Sequence, residues 1–428
     1  LGSNPSRRTK TMAILNKKIN KIIFISFLIK LIFVIFFHEK SLSDEWRILF
    51  QNFQNFKTYS YYVFGNQDIP SSYMPPLYFI FIYINKILSF EKINFLYLIY
   101  FNQIIISSFT VYLFYKLCQN FFNERFSLFG AIIFSVFPLI VYSNGLISSA
   151  CLQLFFYLLF LNLFLRIFTN DLNRQNLLFL GITSALTLIL RGEFLIILLF
   201  SLVYLIISNN KKITQAITIL IITIILVSPY LIRNYINTGS LHLVNVTGYA
   251  LWKGNNQLAN VEGYHNPLHP NNREDWPKNR EFLSLYNKLD NIDKDENYEI
   301  DRDKIFKEEA IKNIISDKKK YFFLYIKKFF SYFFLDINSS LKNYYNPAHT
   351  IPILLFSICS VPGAILGLKK IKNSKIIYIF LLTCFLTAFI SLFFILPRYK
   401  ISIISSQILF SLFFFEYLFE KKFKKRFK

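Results

Sequence analysis

Apolar runs of membrane-spanning length recur along the chain and are separated by short basic or polar stretches. A helix needs roughly 17 to 25 residues to cross the hydrocarbon core of a bilayer. Runs near that length lie at residues 20–37, 94–117, 127–144, 146–166, 175–190, 194–208, 213–232, 351–368, 375–396 and 401–419. The pattern therefore predicts an all-α polytopic membrane protein with about ten transmembrane helices.

A further apolar run, residues 75–90, is short and rich in tyrosine, and its interpretation decides the topology. Lysines cluster before the first crossing and again at the C-terminal end, and basic residues mark the cytoplasmic side of a membrane. Two ends on the same side require an even number of crossings. We therefore interpret residues 75–90 as an interfacial helix in the outer headgroup layer.

This topology divides the chain into membrane modules, outer segments and cytoplasmic ends. The predicted parts are a cytoplasmic tail 1–19, an N-terminal membrane module 20–232 with an outer loop 38–91, an extracytoplasmic segment 233–350, a C-terminal membrane module 351–420 and a basic cytoplasmic tail 421–428. The polar residues 1–11 precede Met12, and whether they are native stays open. In the extracytoplasmic segment, the acidic residues 301–303 predict a helix start and residues 321–334 predict an amphipathic helix on the membrane surface.

Composition excludes a soluble domain and a disordered chain, because 54% of the residues are hydrophobic and only 17% are charged. The net charge of +23 by itself would suit a nucleic-acid-binding protein. Many of the lysines and arginines, however, lie in short clusters between apolar runs, which is typical of cytoplasmic membrane loops. We therefore expect membrane lipids around the protein and no nucleic-acid partner.

Charged residues at the outer ends of crossings are the candidates for chemistry. Asp44 and Glu45 follow the first crossing, and adjacent residues cannot form an opposed acid–base pair. Either carboxylate can act as a single general base. The alternative, to which we give equal weight, is that the two residues only begin a solvated loop. Arg191, Arg233 and Arg398 end other crossings, where a guanidinium either binds phosphate or anchors the helix in the headgroups.

Several motifs follow one another on the outer side of the predicted topology. They are Asp44-Glu45, Tyr73-Met74-Pro75-Pro76-Leu77-Tyr78, Arg191-Gly192-Glu193, residues 228–235, residues 248–256 and Pro397-Arg398-Tyr399. This set resembles the GT-C superfamily of membrane glycosyltransferases. More narrowly, it is similar to protein O-mannosyltransferases and lipid A aminoarabinose transferases.

The resemblance implies an activity. It implies an inverting glycosyltransferase of the inner (plasma) membrane that moves a sugar from a polyprenyl-phosphate donor to an acceptor hydroxyl on the extracytoplasmic face. It also implies that no metal or other cofactor is needed, and that the acceptor is a lipid, a glycan or a protein. Asp44 would take the proton from the acceptor hydroxyl, and Glu45 would orient the substrate or substitute for Asp44.

The resemblance also implies binding residues. The donor phosphate would contact Arg398, Arg191, Arg233 and Tyr399, and the rest of the substrate would contact Tyr73, Tyr78, Trp252, Asn255 and Asn256. For the last three, shaping a turn is the alternative, since a Gly-Asn pair favours turns.

Two other functions stay open. One is an oligosaccharide ligase or polymerase that uses diphosphate-linked donors. The other is a transporter or flippase of lipid-linked sugars, although transporters commonly have repeated halves and paired broken helices, which the sequence does not suggest.

Overall fold

The structure is a computed structural model that describes residues 5–64, 67–168, 173–209, 212–264, 282–336, 338–339 and 346–426. Within these ranges, residues 5–16, 44, 67 and 422–426 are described by their backbone alone. The side chain of Asp44 and the first four residues of the predicted N-terminal tail therefore lie outside the described part.

Helices dominate the N-terminal half, with a single hairpin among the described residues. In chain order the elements are α1 (Pro5–Phe36), α2 (Asp44–Phe56), β1 (Ser60–Phe64), β2 (Gln67–Pro70), α3 (Leu77–Leu88), α4 (Phe95–Cys118), α5 (Glu124–Val136), α6 (Pro138–Tyr142), a 3-10 turn (Ser143–Gly145), α7 (Ala150–Arg166), α8 (Arg174–Leu188), α9 (Phe194–Ser208) and α10 (Ile213–Thr238).

The helices of the segment predicted to be extracytoplasmic, and then those of the predicted C-terminal membrane module, follow. They are α11 (Thr247–Gly254), α12 (Leu283–Asp290), α13 (Tyr298–Ser316), α14 (Lys318–Phe333), α15 (Pro347–Ile371), α16 (Ser374–Ile390), a 3-10 turn (Pro397–Lys400) and α17 (Ile401–Arg426). The helices predicted to begin near residue 301 and to span residues 321–334 correspond to α13 and α14.

Five helical stretches in the described part are long and apolar enough to cross a membrane: Lys17–Phe36, Phe95–Cys118, Ile213–Thr238, Pro347–Ile371 and Pro397–Lys421. The predicted crossing 127–144 corresponds to a bent pair of helical segments and stays a prediction as a membrane span. There the chain bends by 50° between α5 and the segment Pro138–Gly145. The reason is Pro138, which lacks a backbone N–H and clashes with the preceding turn of a continuous helix.

The other four predicted crossings correspond to α7, α8, α9 and α16, which have 15 to 17 residues. At 1.5 Å per residue such a helix is about 25 Å long, somewhat shorter than a hydrocarbon core of about 30 Å. The all-α membrane fold is thus confirmed, whereas the count of ten stays a prediction. At 12 residues, α3 is too short to span, in line with an interfacial helix.

The first outer loop is more ordered than its polar composition suggested. Helix α2 begins at Asp44, where carboxylates suit the positive end of a helix dipole. It buries Trp46, Leu49 and Phe50, which the helical period places on one face. The hairpin β1–β2 follows, with Val63 opposite Asp68.

Buried apolar residues form two clusters. The larger fills the helical bundle, and Phe114 and Phe134 stack there with ring centroids 4.3 Å apart. The second, which we call the outer core, joins the first outer loop to α11, α12 and α13 and includes Trp46, Tyr78 and Trp252. Two segments about 200 residues apart in sequence therefore pack as one unit at one end of the bundle.

Candidate active site

Glu45 belongs to the first turn of α2, which is held in place by its neighbour Trp46. The Trp46 ring meets the Tyr78 ring edge-on at 4.8 Å. The Tyr78 hydroxyl donates a 2.8 Å hydrogen bond to Gln103 Oε1 of α4. Tyr78 is completely buried, so its ring and hydroxyl position α2 against the bundle.

Tyr73 lies within electrostatic range of Glu45. Its ring stacks on Tyr61 of the hairpin, with 4.6 Å between the centroids and 9° between the planes. Burial raises the pKa of Tyr73 well above its ordinary value, and the nearby Glu45 carboxylate raises it further. Tyr73 is partly exposed and lies beside Glu45, as a substrate-binding residue would.

Helix α11, which carries Tyr249 and Lys253, is capped at one end by the half-buried Asp303 and at the other by the buried Lys328. Asp303 of α13 accepts hydrogen bonds from the backbone N–H groups of Gly248 (2.8 Å) and Tyr249 (2.9 Å). Lys328 of α14 donates to the Gly254 carbonyl oxygen at 2.6 Å. A negative group at the N-terminal end and a positive group at the C-terminal end both interact favourably with the helix dipole. They therefore stabilise α11 in this position.

The segment before Pro397-Arg398-Tyr399 packs directly on the end of α11. Asn255 Nδ2 donates to the Leu392 carbonyl oxygen at 2.8 Å, and the Ile395 N–H donates to the Val261 carbonyl oxygen at 2.9 Å. A Cβ on Gly254 would lie 2.6 Å from the Phe393 carbonyl carbon, so only glycine allows this approach. The fold thereby brings Lys253 close to Arg398.

Charge couples these residues to Glu45. Burial lowers the pKa of Lys253, the Arg398 guanidinium lowers it further, and the Glu45 carboxylate opposes the shift. Burial also raises the pKa of Tyr249, where Arg302 acts against the shift and Glu45 adds to it. Lys253 therefore lies within electrostatic range of Arg398 and Glu45, and Tyr249 lies within range of Glu45.

Glu39 is a carboxylate near Arg398 that the sequence analysis did not select. Its Oε2 accepts a 2.8 Å hydrogen bond from the Ile147 N–H. Burial raises the pKa of Glu39, while that hydrogen bond and the Arg398 guanidinium lower it. The sequence feature that could have identified Glu39 is its position just after α1, five residues before Asp44.

We call the group of residues assembled here the outer-face cluster. It comprises Glu39, Glu45, Tyr249, Lys253, Arg398 and Tyr399. Arg398 is exposed and lies over the Tyr399 ring, with 5.9 Å from its Cζ to the centroid. The cluster thus combines carboxylates and cations at an open, aromatic surface.

The two remaining arginines have different surroundings. Arg191 pairs with Glu193 at 3.0 Å and lines a shallow recess together with Gln153 and Ser402. The Tyr399 phenol lies in its electric field, so Arg191 borders the outer-face cluster. Arg233 instead donates to the carbonyl oxygens of Ser71 (2.7 Å) and Tyr59 (3.0 Å). It therefore links α10 to the first outer loop.

Comparison with known proteins agrees with this architecture. Residues 74–232 match the sequence model of the family dolichyl-phosphate-mannose-protein mannosyltransferase. The fold is similar to that of the oligosaccharyltransferase AglB from Archaeoglobus fulgidus in complex with an inhibitory peptide and a dolichol-phosphate. The TM-score is 0.57 at 12% identity, over 95% of this chain and 51% of that one. The chain has the GT-C fold. The apo form of the same archaeal enzyme matches at a TM-score of 0.55 and 13% identity, over 95% of this chain and 51% of that one.

The resemblance to GT-C glycosyltransferases that the motifs indicated is thereby confirmed. The GT-C chain spans about half the length of the solved structures that it matches. No curated protein matches its sequence.

Within this GT-C fold, four residues predicted to bind substrate are buried among protein groups, namely Tyr78 and three residues in or just after α11. The Trp252 ring packs at 5.0 Å from Phe306 in the outer core. Asn255 bonds to carbonyl oxygens through Nδ2 and to Lys328 through Oδ1, and Asn256 Oδ1 accepts from the Leu258 N–H. These contacts are those of residues that shape the end of α11, the alternative that the sequence left open.

The described residues include no group of three or more His, Cys, Asp or Glu side chains placed to hold a metal ion. The metal independence implied by the resemblance stays a prediction.

Proposed function

We propose that this GT-C protein transfers a sugar, with inversion, from a polyprenyl-phosphate donor to an acceptor hydroxyl at the outer face of the inner (plasma) membrane. The observation that carries the proposal is the outer-face cluster, in which Lys253 lies within electrostatic range of both Glu45 of α2 and Arg398. The family match to dolichyl-phosphate-mannose-protein mannosyltransferases supports a lipid-linked donor.

In the proposed reaction, Asp44 accepts the proton of the acceptor hydroxyl while the acceptor oxygen bonds to the anomeric carbon. The bond from that carbon to the phosphate oxygen breaks, and its electron pair leaves with the polyprenyl phosphate. Arg398 stabilises the charge that develops on the departing phosphate. Arg191 and Tyr399 border the same position and would complete the phosphate site.

One carboxylate base is enough for this chemistry. Phosphate is a stable leaving anion, so its departure needs electrostatic stabilisation more than protonation, whereas a glycosidase uses two carboxylates across the sugar. Glu45 adjoins Asp44, and Tyr73 and Tyr249 lie within its field. We assign Glu45 to orienting the acceptor or the sugar, with Tyr73 as a further contact.

A second candidate is oligosaccharide transfer from a diphosphate-linked donor. It is favoured by the likeness in fold to an archaeal oligosaccharyltransferase. Assays with a monophosphate-linked and a diphosphate-linked sugar on the same preparation separate the two candidates. Preferential use of the diphosphate donor would replace the first proposal with the second.

The deciding experiment compares Asp44→Asn and Glu45→Gln in an assay with a polyprenyl-phosphate sugar. Because general-base catalysis typically contributes about 10²- to 10⁴-fold in rate, Asp44→Asn should lose turnover by that order and still bind the lipid donor. Glu45→Gln should be milder. Asp301→Asn, an exposed carboxylate in the first turn of α13, is the matched control. If both α2 variants stay active, the proposed mechanism is wrong.

A further inference from the structure

Two cations flank one pair of aromatic rings in the outer-face cluster. The rings of Phe394 and Tyr399 lie 5.7 Å apart. The Lys253 ammonium lies 4.4 Å from the Phe394 centroid, and the Arg398 guanidinium carbon lies 5.9 Å from the Tyr399 centroid. Contacts of this kind stabilise cations at a partly desolvated surface without neutralising them.

The like charges repel each other across this ring pair. The Arg398 guanidinium acts together with burial to lower the pKa of Lys253, which is the effect of a nearby like charge. Within the described part of the chain, the ammonium of Lys253 has its aromatic contact but no ion pair with a carboxylate. An anion placed between the two cations would relieve their repulsion.

The backbone beneath Lys253 is held in position. Lys328 bonds to the carbonyl oxygen of Gly254, the next residue, and the Tyr264 N–H donates to the Lys253 carbonyl oxygen at 3.1 Å. The Asp303 carboxylate caps the other end of α11. A lysine on a fixed backbone loses less freedom when it binds a ligand, which favours affinity.

We propose that Lys253 is a second cationic ligand of the donor phosphate, acting on the same phosphate group as Arg398. This inference rests on the proposed function and extends its site by a residue that the motifs did not single out. Arginine presents a planar fork to two phosphate oxygens, and lysine acts as a point charge on the remaining oxygen. The ligand is a phosphate that enters from the outer leaflet on a lipid chain.

The experiment measures binding of polyprenyl phosphate, without sugar, to the full chain in nanodiscs. The variants are Lys253→Ala, Lys253→Arg and Arg398→Ala. Lys294→Ala is the matched control, since the Lys294 ammonium also lies over a ring of the outer core region, at 5.2 Å from the Phe64 centroid. Thermal unfolding of each variant establishes that it is folded.

We expect Lys253→Ala to weaken binding about 10- to 100-fold, as for a lost charge-assisted contact. Lys253→Arg should restore most of the affinity, and Lys294→Ala should bind like the original chain. In competition, polyprenyl phosphate should displace phosphatidylglycerol, a lipid whose phosphate is on a different chain. This preference for polyprenyl phosphate should depend on Lys253.

Three outcomes overturn the inference. If Arg398→Ala weakens binding while Lys253→Ala does not, Lys253 is no phosphate ligand and the proposed function stands. If phosphatidylglycerol competes as well as polyprenyl phosphate does, the two cations are a headgroup anchor. If the original chain binds no polyprenyl phosphate, the proposed function itself fails and the inference fails with it.

Discussion

The carboxylate of Asp303 accepts a 2.8 Å hydrogen bond from the backbone N–H of Gly248, at the N-terminal end of α11. Asp303 ends the Asp301-Arg302-Asp303 triplet, whose middle residue is buried against the rings of Tyr249 and Phe306. The triplet therefore joins α13 to α11, and through α11 it supports Lys253.

Removing the Asp303 carboxylate should loosen α11. We expect Asp303→Ala to lower the free energy of unfolding by about 2 kcal/mol, since hydrogen bonds to a charged group contribute on this order. The Michaelis constant for the donor should also rise, because Lys253 and Tyr249 lose their fixed backbone. Denaturant unfolding in detergent and donor titrations measure the two effects. Asp301→Ala, an exposed neighbour, is the control, and an equal effect there would contradict the capping role.

Gly254→Ala should disturb the same region from the other end of α11. The added Cβ would lie 2.6 Å from the Phe393 carbonyl carbon and 2.7 Å from the Phe394 nitrogen, so backbone has to move. We expect weaker binding of polyprenyl phosphate and lower thermal stability. Gly130→Ala is the comparison, because the nearest atom to its added Cβ is Leu412 Cδ1, at the far end of a side chain that can change rotamer. A larger loss of binding for Gly130→Ala would count against this prediction.

The free energy of unfolding should depend on pH through protonation of the Glu299 carboxylate. This buried carboxylate accepts hydrogen bonds from Ser71 Oγ (2.9 Å) and the Ser72 N–H (3.1 Å), yet burial raises its pKa to about 7, with Arg302 opposing the shift. The folded state therefore holds the proton more tightly than the unfolded state does. The contribution of Glu299 to stability is greatest at low pH and is lost as the pH rises from about 4.3 towards 7.

The measurement is the unfolding midpoint between about pH 5 and pH 8 for the original chain and for Glu299→Gln. His242 shares a hydrogen bond with Ser72 Oγ, and because burial lowers its pKa, its contribution to stability changes with pH in the opposite sense. The difference between the two proteins isolates Glu299. An identical pH dependence in both proteins would show that this carboxylate is not the titrating group.

The predicted topology can be tested by cysteine labelling from outside. Cysteines introduced at Lys57 or Asn291 should react with an impermeant reagent, and cysteines at Asn209 or Asn373 should not, although all four positions are exposed in the fold. The exposed native Cys384 is first replaced by serine, and the other three cysteines are buried. Labelling at Asn373 together with protection at Asn291 would show that the orientation in the membrane is the opposite of the predicted one.

The order and outer placement of the motifs allowed much of the fold and part of the site to be predicted. Asp44-Glu45 and Pro397-Arg398-Tyr399 lead to the same region of the structure, although more than 350 residues separate them. The likeness in fold to a GT-C enzyme covers 95% of the chain. The motifs did not indicate that Tyr78, Trp252 and Asn256 are buried, because a motif reports residue type and order but not which side chains the packing buries.

The sequence by itself determined the membrane-embedded helices, because a run of apolar side chains in lipid must satisfy its own backbone hydrogen bonds and becomes helical wherever it is long enough. Only the tertiary structure decided which charges meet. The contacts of Asp303 with α11 and of Lys328 with Gly254, and the approach of the like-charged Lys253 and Arg398, bring together residues that lie between 55 and 145 positions apart. No local periodicity encodes such pairings, since they arise when the outer segments pack together and bury each polar group against its partner.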